Sequence, residues 1–281
     1  MRVSRIAILI LVGLPLMAQE PARPAGKGVD FYSLEKEASL GRQLAAEFRK
    51  RTTIIDSPTV QDYLDRLGRR LESHLLDANF PFTFRAIAED PCPSIHEPAA
   101  LPGGYVFVPA ALFIAAQDEA EFSGMLAHAM EHIAQRHGTR QATRGTMVNY
   151  SSVPLIFMGG GCSEGHAIPL GFMASQRSAE LEADFLAIQT IARAGFNPRA
   201  LMQYLRRVQV QPAGAISKAY SSLPDRDQRL AAMLSAIEKL PTVDYAAVAP
   251  AEFAAARQEL RSLTKPRRPQ HPPTLMRKTL E

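Results

Sequence analysis

Apolar residues recur along this chain at intervals that alternate between helical and strand spacing. Between residues 32 and 52, Leu40, Leu44, Ala45 and Phe48 form one stripe behind Ser33 and Glu35, which predicts a capped helix. After Ser57-Pro58, the positions Val60, Tyr63, Leu64, Leu67, Leu71 and Leu75 repeat the pattern and predict a second. Residues 82–88 alternate with period two and predict a strand. A Pro102-Gly103-Gly104 turn then feeds Tyr105-Val106-Phe107-Val108, a β-branched and aromatic run closed by Pro109. Leu126, Met130, Ile133 and Ala134 predict a buried helix that stops near Gly138. Residues 139–158 read as largely helical and 159–165 as a glycine-rich loop. Residues 178–194 form a clear helix, 209–217 a polar linker and 225–240 a further helix.

The buried helix carries chemistry. His128 and His132 stand four apart, so both imidazoles project from one face and reach a single metal ion. In the HExxH metalloprotease motif a glutamate directly follows the first histidine and serves as general base. Here that position is Ala129, and the carboxylate of the segment is Glu131, directly before the second histidine. The string is therefore HxxEH, the inverted arrangement, and Glu131 is the candidate catalytic base. On a helix, position 129 lies about 100° to one side of His128 and Glu131 about 60° to the other, so the two would approach a metal from opposite flanks. A pair of histidines alone is more often structural than metal-binding; a third ligand changes the weighing. Glu180 and Asp184 share one face of a helix rich in alanine, with Leu181, Phe185 and Ile188 elsewhere on it. Glu180 is the expected third ligand, and Asp184 the expected acceptor for the outer N–H of a liganding histidine. His166, in the glycine-rich segment, is read as a solvated loop histidine.

Composition narrows the setting. Of 281 residues, 46% are hydrophobic and 21% charged, ordinary for a globular protein with a sizeable core. The formal net charge of +4 is accounted for by the segment from Lys265 onward, where Lys265, Arg267, Arg268, Arg277 and Lys278 face Glu281. The body is near neutral and shows no basic stripe interleaved with aromatics, so no nucleic-acid partner is expected. Arg2 and Arg5 precede an apolar run over residues 6–17, too short for a membrane span of about 20 residues and suited to a secretory signal. Cleavage is expected near Ala18, with no stable membrane span afterwards and a periplasmic or secreted chain. Export would permit a disulfide between Cys92 and Cys162. The expected organisation is a signal peptide over 1–18, one domain over 19–262, and a basic, proline-rich disordered tail over 263–281.

Several motifs together resemble a known family. Ala100-Leu101-Pro102-Gly103-Gly104-Tyr105-Val106-Phe107-Val108, then Glu119-Ala120-Glu121 leading to Leu126-Ala127-His128 and on to His137-Gly138, then Glu180 to Asp184 as ExxxD, are similar to the gluzincin metallopeptidases of the CAAX prenyl protease and HtpX heat-shock protease family, in its exported bacterial branch. The resemblance implies a mostly helical α+β, zincin-like domain with a small sheet whose edge strand borders the active-site helix. It implies Zn2+ held by His128, His132 and Glu180 with Asp184 in support, and substrate binding along Gly104, Tyr105, Val106 and Phe107 as an edge strand. It also implies metalloendopeptidase activity on unfolded or assembling envelope polypeptides. Two departures fall on chemistry: Ala129 replaces the family's catalytic Glu, and Leu223 stands where exported members usually carry a His before Pro. The alternative reading is a catalytically silent, zinc-binding homologue that holds such polypeptides in its cleft.

Overall fold

The computed structural model describes residues 29–147, 170–210, 223–245 and 251–264. The expected signal segment, the glycine-rich loop with Cys162 and His166, most of the 209–217 linker and the basic tail lie outside the described residues.

Local signals set most element ends. Helix α1, Leu34–Arg51, begins where the Ser33 hydroxyl accepts from the Lys36 amide, with Glu35 and Glu37 in the first turn and Arg49, Lys50 and Arg51 in the last. Helix α2, Pro58–Glu72, is capped by Ser57 and has proline where a free N–H would be wasted. Strands β1, Thr83–Ile87, β2, Ala99–Leu101, and β3, Tyr105–Pro109, make a sheet of order β1-β3-β2. β3 runs parallel to β1 and antiparallel to β2. The β2–β3 turn passes through Gly103 at φ 77° and Gly104 at φ 96°, a region costly for any residue with a Cβ. A Cβ at Gly104 would also sit 2.1 Å from the Pro81 carbonyl oxygen.

This order corrects one expectation. Gly104, Tyr105, Val106 and Phe107 are not an edge strand, because β3 is hydrogen-bonded on both sides. The short Ala99–Leu101 strand takes the margin of the sheet and packs against the two-histidine helix. Three residues of alanine and leucine carry little strand signal of their own, so the aromatic run drew the assignment.

Short helix α3, Ala110–Ala115, leads to α4, Glu119–Ala134. Asp118 accepts from the Glu121 amide, and the Glu121 carboxylate accepts from the Gln117 amide, a reciprocal start close to a capping box. α4 is buried on nearly every side, as expected of a central helix. Around it lie α5, His137–Met147, α6, Leu170–Arg193, and α7, Arg199–Val208, then α8, Arg226–Ile237, and α9, Ala251–Leu263. α6 begins eight residues before the expected 178, and its contact with α4 is the most extensive in the fold.

The stop after α4 differs from expectation. Gly138 lies inside α5, and the left-handed residue is Arg136, at φ 56°. That conformation is unfavourable for an arginine. Its guanidinium is held by Glu37, Asp30 and the Tyr32 carbonyl, which offsets the cost. The sharp reversal brings His137 back toward His132.

Candidate metal centre

α4 and α6 cross with the faces of His128, His132, Glu180 and Asp184 turned to one another. The Nε2 atoms of His128 and His132 are 3.2 Å apart. Glu180 Oε2 is 3.4 Å from the first and Oε1 3.5 Å from the second. Donors held 2.0–2.2 Å from a tetrahedral zinc stand about 3.3–3.5 Å from each other, so these separations are those of ligands already converged on one point. Glu97, in the segment before β2, joins them, and ligand atoms of all four residues lie within 4.8 Å of one another. All four side chains are buried.

Outer contacts fix how each ring faces the centre. His128 Nδ1 lies 3.0 Å from Asp184 Oδ1, which leaves Nε2 to point inward without a proton when a metal is bound. His132 Nδ1 lies 3.0 Å from His137 Nδ1, and His137 Nε2 lies 3.2 Å from Glu182 Oε2. One consistent set of tautomers satisfies this relay: His132 donates from Nδ1 to His137, and His137 donates from Nε2 to Glu182. Both inward Nε2 atoms then present lone pairs to the same space.

Arg229, fully buried at the start of α8, completes the frame. It forks onto Asp184, with Nη2 donating to Oδ1 at 2.8 Å and Nε donating to Oδ2. Nη2 also donates to Glu180 Oε2 at 3.4 Å, and Nη1 to Gln209 Oε1 at 3.3 Å. Gln209 in turn donates to the Pro224 carbonyl at 3.0 Å, tying α7 to the turn before α8.

Charge favours a divalent cation. Glu97, Glu180 and Asp184 against Arg229 leave two buried negative charges when the histidines are neutral. Buried charge is costly, and an ion of charge 2+ suits such a set. Burial pulls the His128 imidazole down, but Asp184 and Glu180 outweigh it and push it up to about 10. Burial, then the charges of His128 and His137, hold His132 well below its ordinary value. The residues present thus fit a metal with two nitrogen donors and carboxylate oxygens.

Glu131 lies elsewhere. Its Oε1 accepts from the Thr190 hydroxyl at 2.7 Å and its Oε2 from Gln135 at 3.5 Å, both away from the four gathered residues. Burial pushes its carboxyl up to about 7. A folded-state value raised above the unfolded one stabilises at acid pH, and that contribution is lost as pH rises through about 7. Glu131→Gln keeps the acceptor for Thr190 and removes the titration. It should leave urea stability near pH 4 unchanged, raise it by about 1–3 kcal/mol near pH 8, and leave any hydrolysis untouched. A loss of proteolysis in that variant would return Glu131 to the chemistry. Ala129 is fully buried in the main core cluster, a methyl where the family motif has a carboxylate.

Sequence reading missed Glu97, His137, Glu182 and any role for Arg229. A carboxylate between His96 and Pro98 has no spacing relation to the two-histidine helix. His137 is out of helical phase with His132 and meets it only because the chain reverses at Arg136.

The comparisons agree with this geometry. A model of peptidase family M48 matches residues 58–237, well over half of the chain, a span that contains all four gathered residues. The chain belongs to peptidase family M48. Within M48, it is 30% identical over 189 residues to the putative beta-barrel assembly-enhancing protease of Vibrio cholerae, a match covering 63% of this chain and 38% of that protein. It is 29% identical over 193 residues to the beta-barrel assembly-enhancing protease of Escherichia coli K12, and 26% identical over 189 residues to that of Yersinia pestis, with the same shares covered. The region shared with these M48 relatives is thus well under half of their length. No described helix is long and apolar enough to cross a membrane.

Proposed function

We propose that this chain is a zinc-dependent metalloendopeptidase acting on exported or envelope polypeptides, with His128, His132 and Glu180 as its metal ligands. The observation that carries the reading is the convergence of those three donors at 3.2, 3.4 and 3.5 Å, with Asp184 behind His128 and His137 behind His132. A zinc ion held there supplies Lewis-acid polarisation of a peptide carbonyl. The chain's own residues orient the donors: Asp184 and the His137–Glu182 pair fix the ring tautomers, and Arg229 fixes the Glu180 and Asp184 carboxylates. A substrate strand is assigned to β2, at the margin of the sheet against α4, rather than to β3. The similarity to beta-barrel assembly-enhancing proteases supports an envelope setting, as does the expected signal segment; a periplasmic location belongs to the proposal.

One observation favours a second reading, a silent zinc-binding homologue that holds envelope polypeptides. Ala129 supplies no base, and the Glu131 carboxylate is engaged with Thr190. A general base contributes about 10²–10⁴ in rate, so hydrolysis by the chain as it stands should be slow. Metal analysis of the purified protein should give about one zinc per chain, and His128→Ala should abolish it. Digestion of casein and of an unfolded outer-membrane protein separates the readings: fragments that vanish with His128→Ala support the peptidase, and retention of the intact polypeptide supports the holder. Absence of metal from protein refolded with zinc would refute both.

A further inference from the structure

We propose that Glu97 is a fourth protein ligand of the metal, so that the centre as folded is closed. The inference rests on the metal site proposed above and concerns a residue that the three-ligand reading does not use.

Glu97 Oε1 lies 3.8 Å from His128 Nε2 and 3.9 Å from His132 Nε2. It is almost equidistant from the two rings. Those separations exceed a tetrahedral ligand edge of about 3.3–3.5 Å by roughly half an ångström. A carboxylate that instead accepted from a water in an open fourth position would stand about 3.9–4.5 Å from the ring nitrogens, because a bound water donates at an angle to its metal–oxygen bond. At 3.8 and 3.9 Å Glu97 stands at the near edge of that range, close enough to be a ligand itself.

The segment that delivers Glu97 is built to hold it. The Asp90 carboxylate accepts from the Cys92 amide at 3.2 Å and pairs with His96 Nδ1 at 2.6 Å. The His96 amide donates to the Cys92 carbonyl at 2.7 Å, and the Tyr204 hydroxyl of α7 donates to the Ile95 carbonyl at 2.9 Å. Ile95 is fully buried in the main core, and Cys92 is disulfide-bonded. His96 itself takes the left-handed conformation at φ 54°, a strained choice that the Asp90 contact and the buried Ile95 hold in place. Pro98 follows, fixing the next φ. Glu97 therefore enters the site on a turn anchored at both ends, not on a loose loop.

The donor types point the same way: two histidines with two carboxylates suit zinc or cobalt. Four protein donors are the mark of a structural zinc site, whereas hydrolytic sites keep one position open. The chain thus carries alanine at position 129 and, beside the other donors, a carboxylate in reach of the position that an open site would leave to water or a substrate carbonyl. Hydrolysis would require Glu97 to leave.

The test compares the full-length protein with Glu97→Ala after loading with one equivalent of Co2+ or Zn2+. The visible d–d spectrum of the cobalt form should differ between the two. Acetohydroxamate, a small bidentate metal-binding probe, should shift the variant's spectrum and leave that of the unaltered protein in place. Zinc affinity by chelator competition should fall about 100-fold or more in the variant, at or beyond the 10- to 100-fold worth of a supporting contact. Should the alanine variant not fold, Glu97→Gln, which keeps the shape and removes the charge, carries the same comparison. Identical cobalt spectra with identical responses to the probe, at one metal per chain, would overturn this proposal and leave the three-ligand site standing. Failure of the unaltered protein to take up either metal would overturn both.

Discussion

Substituting Ala129→Glu and Glu97→Ala together should raise casein hydrolysis by about 10²- to 10⁴-fold over the unaltered chain, the range that a positioned general base contributes. Position 129 lies three residues before His132, so on α4 its side chain neighbours that ring, about 100° round the helix from His128. A carboxylate there would occupy the flank that HExxH enzymes use. Ala129→Glu alone should do far less, because it adds a negative charge to a buried set already holding Glu97, Glu180 and Asp184 against Arg229. Like charges crowded in an interior drive one another to protonate, and a protonated carboxyl is no base. The double substitution conserves the buried charge and clears the fourth position in the same step. The measurement is initial rate against a quenched casein substrate, with zinc content and thermal melting recorded for each variant. A double variant that is folded, holds one zinc and cleaves no faster than the parent would show that neither residue is what limits the site.

The helices and the ligand pair were legible because they rest on local rules. Ser33, Ser57 and Asp225 cap where short polar residues should, the apolar stripe of α2 is its buried face, and of the α1 stripe Ala45 and Phe48 are buried while Leu40 and Leu44 are half-buried. His128, His132, Glu180 and Asp184 were legible because i,i+4 spacing puts each pair on one helical face whatever the tertiary fold. What escaped depends on how separate elements meet. β3 looked like an edge because its own sequence is the stronger strand; that a three-residue strand pairs outside it is settled by the Pro-Gly-Gly hairpin and by packing on α4. Gly138 looked like the helix stop because glycine usually serves there, yet three contacts from α1 and the segment before it let Arg136 bear the left-handed turn instead. Glu97 and Arg229 enter the site from segments 35 residues before and 97 residues after His132, beyond the reach of any periodicity, and only the folded chain sets them beside the histidines.

Arg229→Met should destabilise the metal-free protein by about 3–5 kcal/mol, the cost of leaving buried charge unpaired. The guanidinium is fully buried, forks onto Asp184 and reaches Glu180, so its removal strands two carboxylates in the interior at once. Arg229→Lys should recover little of this, because a single ammonium cannot make two parallel bonds to Asp184 while reaching Glu180 and Gln209. The pH dependence gives the claim a second edge. Burial pushes the Asp184 carboxyl up, but Arg229 and His128 outweigh it and hold it below its ordinary range. A depressed folded-state value contributes stability above the unfolded one, lost as pH falls through the folded value. In Arg229→Met the burial effect is no longer opposed by the guanidinium, so this acid-side loss should shrink or reverse, and the gap between variant and parent should narrow as pH falls from 7 toward 4. Urea denaturation of both metal-free proteins across that range reads the result. Zinc should stabilise the parent more than the variant, since an ion that binds only the folded state adds stability in proportion to the logarithm of its affinity, and the variant's ligand Glu180 has lost its support. A variant as stable as its parent at pH 7, with zinc affinity unchanged, would mean that Asp184 and Glu180 are held in place by the packing of α6 on α4 alone.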